Sequence, residues 1–239
     1  MAEAAPVAIE EPLPGLTADS IGHLACEWDD GGRWADVMWL ADRCWTADED
    51  LRREHWHHLV LAVGNFKRRP GQRLLSAALS TGRRPSAQAV RQPIFEVPGD
   101  GARLDVAADR VESWKALQSA LPGAGTATTT TLLAALWPSL HFVYDKRVQA
   151  AANGLRLHAD LPAMYDAESS SVVSVSWTGY ARVRSWVEAT ATAAGQELAA
   201  VERALYILDQ HVADRQSGRS WPEYGAHLAA DLEGATPQR

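Results

Sequence analysis

The hexamer Leu121-Pro122-Gly123-Ala124-Gly125-Thr126 carries the most specific chemistry in the chain. Proline sets φ, and two glycines permit a tight reversal with positive φ between two helical segments. Gly123 and Gly125 have no side chain to hold a ligand off, and Thr126 opens the next helix. Backbone amides there can approach a phosphate, whose charge the helix dipole also favours. The hairpin is thus a sequence-independent phosphate clamp, although an αα-corner with no ligand has the same letters. Twenty residues after Gly125 stands Asp145, ahead of the helical segment Lys146 to Leu155. A carboxylate there either caps the helix or presents its charge to a reacting group.

From Thr126 the chain continues Ala127-Thr128-Thr129-Thr130-Thr131-Leu132-Leu133-Ala134-Ala135-Leu136. Trp137-Pro138 follows, then Phe142-Val143-Tyr144-Asp145-Lys146-Arg147-Val148. Over roughly Val111 to Leu155 this resembles the helix-hairpin-helix DNA glycosylase superfamily, particularly its oxoguanine-glycosylase-fold branch. That family shows L-P-G-x-G-T, a helix of small and apolar residues, a short loop, and an aspartate entering the next helix about twenty residues after the second glycine. The C-terminal helices fit that fold loosely, and nothing before Leu51 resembles it. The resemblance implies an all-α fold with little or no β structure. It also implies a nucleic-acid partner, DNA before RNA, no cofactor, and Asp145 as the catalytic carboxylate beside an extruded nucleotide. Its charge would stabilise the oxocarbenium-like sugar or help water attack C1′.

The same resemblance sets a limit. Bifunctional members carry a Schiff-base lysine directly after the hairpin's Gly-Thr, and this chain has Ala127 there. Lyase chemistry through that position is excluded, and monofunctional, Asp145-dependent cleavage remains. Lys146 adjoins the aspartate, but consecutive helical side chains diverge by about 100°. An extruded base needs aromatic partners, and Trp137 and Tyr144 lie near the aspartate in sequence.

Charge supports a polyanion partner by its distribution, not its sum. The net charge is −7, yet no Asp or Glu occurs between His55 and Phe95, where Lys67, Arg68, Arg69, Arg73, Arg83, Arg84 and Arg91 contribute +7. The rest of the chain therefore carries −14. One basic face on an acidic body is the expectation, with a solvated helix and loop as the bland equivalent. His55-Trp56-His57-His58 places His55 and His58 on one helical face, but no third ligand follows by spacing, so no metal is expected. No phosphate-binding P-loop, zinc-protease or nucleophile-elbow motif occurs.

The elements that must position these residues read as helices. Residues 1–18 are rich in Ala, Pro and Glu and suggest a loose arm. Ile21 to Trp45 suggests two short helices around Asp29-Asp30-Gly31-Gly32. Asp48 or Asp50 caps a helix through Leu51 and Val63 that ends at Gly64-Asn65. A short helix Gln72 to Leu79 precedes loop signals up to Gly99, and Asp105 begins the next helical segment. Apolar periods recur at Val111, Trp114 and Leu117; at Leu132, Leu133 and Leu136; and at Val148, Ala151 and Leu155. After a polar connector, Asp160 to Ser171, come helices Tyr180 to Ala194 and Gln196 to about Val212. Val172 to Val175 is the one stretch that passes for a strand. The expected organisation is an arm 1–18, an N-terminal helical region 19–104 holding the basic stretch 67–91, and a glycosylase-like region 105–239, with one continuous domain 19–235 as the variant.

With 239 residues, 46% of them apolar, the chain can bury one substantial core or two modest ones. No run of 18 apolar residues exists and the N-terminus is acidic and Pro-rich, so neither a membrane span nor a signal peptide is expected and the location is cytoplasmic. Cys26 and Cys44 stand alone, which points to two buried small hydrophobes and no disulfide framework. Three readings follow. The first is a monofunctional DNA N-glycosylase-like hydrolase gripping phosphates through Gly123, Gly125, Thr126 and the basic stretch. The second is a catalytically inactive nucleic-acid or nucleotide reader of the same fold, which the resemblance would place in a bacterial antiviral defence pathway. The third is a helical scaffold whose hairpin is only a corner. A cleft-facing Asp145 favours the first two; an Asp145 buried and bonded only to its own helix favours the third.

Overall fold

The computed structural model describes residues 10–46, 49–67, 111–120, 124–165, 174–213 and 220–235. Among these residues the regular structure is helical, without a strand. The helices are α1 (Ala18–Cys26), α2 (Arg33–Thr46), α3 (Glu49–Phe66), α4 (Val111–Ala120), α5 (Thr126–Leu136), α6 (Lys146–His158), α7 (Trp177–Ala194), α8 (Leu198–Ala213) and α9 (Trp221–Ala235). The expected helix Gln72–Leu79, the loop signals after it, the start at Asp105 and Val172-Val173 lie outside the described residues; Ser174 and Val175 form no strand. No described helix is long and apolar enough to cross a membrane.

Two compact units interleave along the chain. Unit one comprises residues 1–28, 146–174 and 178–239, and unit two residues 29–145 and 175–177. Helices α2, α3, α4 and α5 all belong to unit two, where α5 meets each of the other three.

Unit one packs α1, α6, α8 and α9 against one another, around Ile21, Leu24, Val201, Leu205, Leu208 and Leu228. The stripe read along Leu198 to Val212 supplies the α8 side of that core from Val201 onward. Residues 10–17 are not a loose arm. Leu13 and Leu16 are buried, the Leu13 amide donates to Thr190 Oγ1 at 2.7 Å, and Trp186 Nε1 donates to Glu10 at 3.2 Å. Arg156 completes the docking. It donates to the carbonyls of Glu11 and Pro162 at 3.0 and 2.6 Å and lies over the Trp186 ring.

Helix α9 has no counterpart in the expectations, because Trp-Pro-Glu-Tyr-Gly has the composition of a loop. Its start is nevertheless encoded. Pro222 lies in the first turn, where the missing N–H removes no helical bond, and the Ser220 amide donates to Glu223 at 3.0 Å, half of a capping box. Two glycines let α9 meet α6 closely. A Cβ on Gly225 would lie 2.4 Å from the Gly154 carbonyl oxygen, and one on Gly154 would lie 2.8 Å from Leu228.

His211 on α8 ties α1 to α9. Its Nδ1 lies 2.9 Å from Asp231 and its Nε2 3.0 Å from Glu27, which His23 also approaches at 3.4 Å. Burial alone would lower the imidazole pKa. Hydrogen bonding and charge from Asp231, with charge and hydrogen bonding from Glu27, outweigh it and raise the value above the ordinary 6.5. A raised folded-state pKa stabilises the fold fully below the unfolded value and loses that contribution as pH rises through the folded one. Denaturation of wild type and His211→Gln at about pH 5.5 and about pH 8.5 should therefore show the wild type's advantage at the lower pH only.

Unit two is built on α5, buried from Thr126 to Leu136 except at half-buried Ala127. Four consecutive threonines tolerate burial because hydroxyls bond back to their own helix: Thr129 to the Gly125 carbonyl at 3.1 Å, and Thr131 to that of Ala127 at 2.8 Å. The α1 to α2 turn is the one anticipated, with Gly31 and Gly32 at φ 65° and 80° and their amides held by Asp29 and Asp30. Helix α3 runs past Gly64-Asn65 to Phe66, with Gly64 buried inside it. Cys44 is buried in this unit, whereas Cys26, expected inside, is exposed.

Candidate functional site

The hairpin enters the described residues at Ala124; Leu121, Pro122 and Gly123 lie outside them. Gly125 is the N-cap of α5, and its carbonyl accepts from the amides of Thr128 and Thr129 at 3.0 Å. The positive φ expected of it is absent. Its φ is −89° and ψ 175°, extended backbone open to any residue, and a Cβ would meet nothing within 4 Å. Neither conformation nor packing among the described residues demands glycine here. Gly125 makes no side-chain cap, and of the first-turn amides of α5 only that of Thr128 finds a carbonyl of this helix, which leaves those of Thr126 and Ala127 pointing out of its end. An anion is the kind of group such a terminus takes.

Gln118, which the sequence did not single out, holds the backbone just ahead of α5. Its amide nitrogen donates to the Ala124 carbonyl at 3.1 Å, and its oxygen accepts from Trp177 Nε1. Trp177 lies beside Trp114, which also meets the ring of buried His141 nearly at a right angle.

Asp145 is reached from α5 by a second tie. The Thr130 hydroxyl, buried, lies 3.3 Å from both the amide nitrogen and the carbonyl oxygen of Tyr144, which fixes the backbone immediately before the aspartate. The Asp145 side chain keeps 24% exposure, and Oδ2 receives the Lys67 ammonium at 3.3 Å. Lys67 is 14% exposed and follows the C-terminus of α3, where its amide donates to the Val63 carbonyl at 3.0 Å. Its ammonium also lies 5.7 Å from the centre of the Phe66 ring, which packs on Trp34. The carboxylate is therefore neither sealed nor engaged by its own helix alone.

Of the other residues expected at the site, Arg68, Arg69, Arg73, Arg83 and Arg84 lie outside the described residues. Trp137 and Tyr144, expected as stacking partners, are packed away. Trp137 is 6% exposed with its ring against Trp45, and Tyr144 is fully buried. The exposed large aromatic in the described residues is Trp39, at 55%. Arg43 lies over it, and it borders an open groove of about 360 Å³ between α2 and α3 with His58 and Asn65. Periodicity could not separate Trp39 from its three tryptophan neighbours in sequence. His55 is half-buried and His58 exposed; no group of three His, Cys, Asp or Glu able to hold a metal occurs among the described residues.

No family model matches this chain, and neither does any curated protein or solved structure.

Proposed function

We propose that this chain is a monofunctional N-glycosylase-like protein that binds nucleic acid, DNA before RNA, and releases a modified base. The observation that carries the reading is Asp145 itself. It is partly open to solvent, fixed in the chain by Thr130 and paired with Lys67 from a distant helix instead of serving its own helix alone. In the proposed reaction the C1′–N bond breaks and the base leaves with the electron pair, while the carboxylate stabilises the sugar cation. Water then forms the new C1′–O bond and gives up its proton, and the base is protonated. Gly125, with no conformational or packing reason to be glycine, supports a close backbone approach to phosphate at the Thr126 terminus. Half-buried Ala127 supplies no amine at the hairpin, so the product is an intact abasic strand.

The burial of Trp137 and Tyr144 favours a second reading, a nucleic-acid reader without turnover, because neither ring is open to an incoming base. One pair of measurements separates the two. Oligonucleotides carrying a panel of modified bases are incubated with the protein and then treated with alkali; strand scission only after alkali is the result expected of the enzyme. Binding of the same duplexes is titrated with salt, where log K should fall by about 0.9 per phosphate contact against log salt. Salt-dependent binding without scission supports the reader, and a flat salt response removes both.

A further inference from the structure

We infer that Lys67 is a positioning residue for Asp145 and not one of the phosphate contacts of the basic stretch that it opens. The inference rests on the proposed role of Asp145. Lys67 begins a run of cations, Lys67-Arg68-Arg69, and by sequence alone would be counted with them. Its ammonium is instead directed inward. It donates to Asp145 Oδ2 at 3.3 Å, across 78 positions of sequence, with only 14% of the side chain exposed.

Both ends of the pair are held. The Lys67 backbone is bonded to Val63 at the end of α3, and its ammonium lies beside the Phe66 ring, which Trp34 supports. On the other side, Thr130 grips both polar backbone atoms of Tyr144. A charge-assisted hydrogen bond between two anchored groups fixes the plane of the carboxylate. An ammonium already matched to a carboxylate also has little attraction left for a phosphate, and recruiting it would leave the partly buried Asp145 without this partner.

The test uses the full chain and the modified-base duplex that it turns over fastest, comparing wild type, Lys67→Met and Lys67→Arg. Methionine keeps the stem and removes the donor; arginine keeps a cation able to reach the carboxylate. The expected result is a fall in kcat of about ten- to a hundredfold in Lys67→Met, with KM and the salt slope of binding unchanged, and substantial recovery in Lys67→Arg. A salt slope shallower by about 0.9 with kcat unchanged would overturn the inference, since that is the signature of a lost phosphate contact. Equal turnover and an equal slope in wild type and Lys67→Met would overturn it too. If wild type binds duplex but turns over none of the panel, the glycosylase reading fails by itself and the inference falls with its premise. That outcome is distinct from an active wild type whose rate ignores Lys67.

Discussion

Replacing Asp145 by asparagine should leave a chain that folds and binds DNA but releases base about 10²- to 10⁴-fold more slowly. Asparagine has the shape of aspartate and caps helices as well as aspartate does, so a capping role ahead of α6 survives the change. What disappears is the negative charge, and with it any stabilisation of a cationic sugar. The loss of the partly exposed ion pair with Lys67 contributes about 1 kcal/mol to the cost in stability. Alkali-developed scission under single-turnover conditions measures the chemistry, and thermal unfolding of the same preparations measures the fold. A rate that matched wild type would remove the catalytic assignment. Asp145→Ala is the weaker probe, because it removes charge and cap together.

Gly225→Ala should destabilise unit one by about 1–3 kcal/mol, although alanine is ordinarily the better helix former. Helix propensity alone favours Ala over Gly by roughly 0.8–1 kcal/mol in a helix interior, so the sign of the effect is itself diagnostic. The added Cβ would lie 2.4 Å from the Gly154 carbonyl oxygen and 3.0 Å from His158 Cβ. The first is backbone and cannot rotate away, so α6 and α9 must separate. Gly22→Ala on α1 is the control, since a Cβ there meets nothing within 4 Å and the substitution should be neutral or stabilising. For a chain of this size each kcal/mol corresponds to roughly 2–4 °C in Tm. A rise in Tm for Gly225→Ala would show that the helices yield without cost.

The helices with a clean apolar period were legible. Val201, Leu205, Leu208 and Val212 on α8 and Val148, Ala151 and Leu155 on α6 are buried as their spacing demands, while Leu198 at the start of the α8 stripe is half-buried. Elements with mixed signals were not. Helix α9 begins with Trp-Pro and carries Gly225 because a close neighbour requires it. That glycine answers to tertiary contact, which a local reading mistakes for punctuation. Residues 10–17 likewise have an arm's composition, yet Arg156 and Thr190, far away in sequence, supply the partners that dock them.

At the site, the start of α5 after Gly125, the spacing to Asp145 and the lack of an amine at Ala127 follow from local pattern. The Lys67 pairing does not, because nothing local distinguishes the first cation of a run that turns inward from those that follow it. Gln118 escaped for the same reason. A polar residue on a helix acquires its meaning only when Ala124 and Trp177 converge on it.

The interleaving of the two units also imposes a timetable. Residues 10–28 leave the ribosome well before α8 and α9, the helices of their own unit whose faces enclose Ile21 and Leu24. All of unit two except Val175 to Trp177 has meanwhile been synthesised. During synthesis the unit that carries Asp145 can settle early, while α1 waits with its apolar face uncovered.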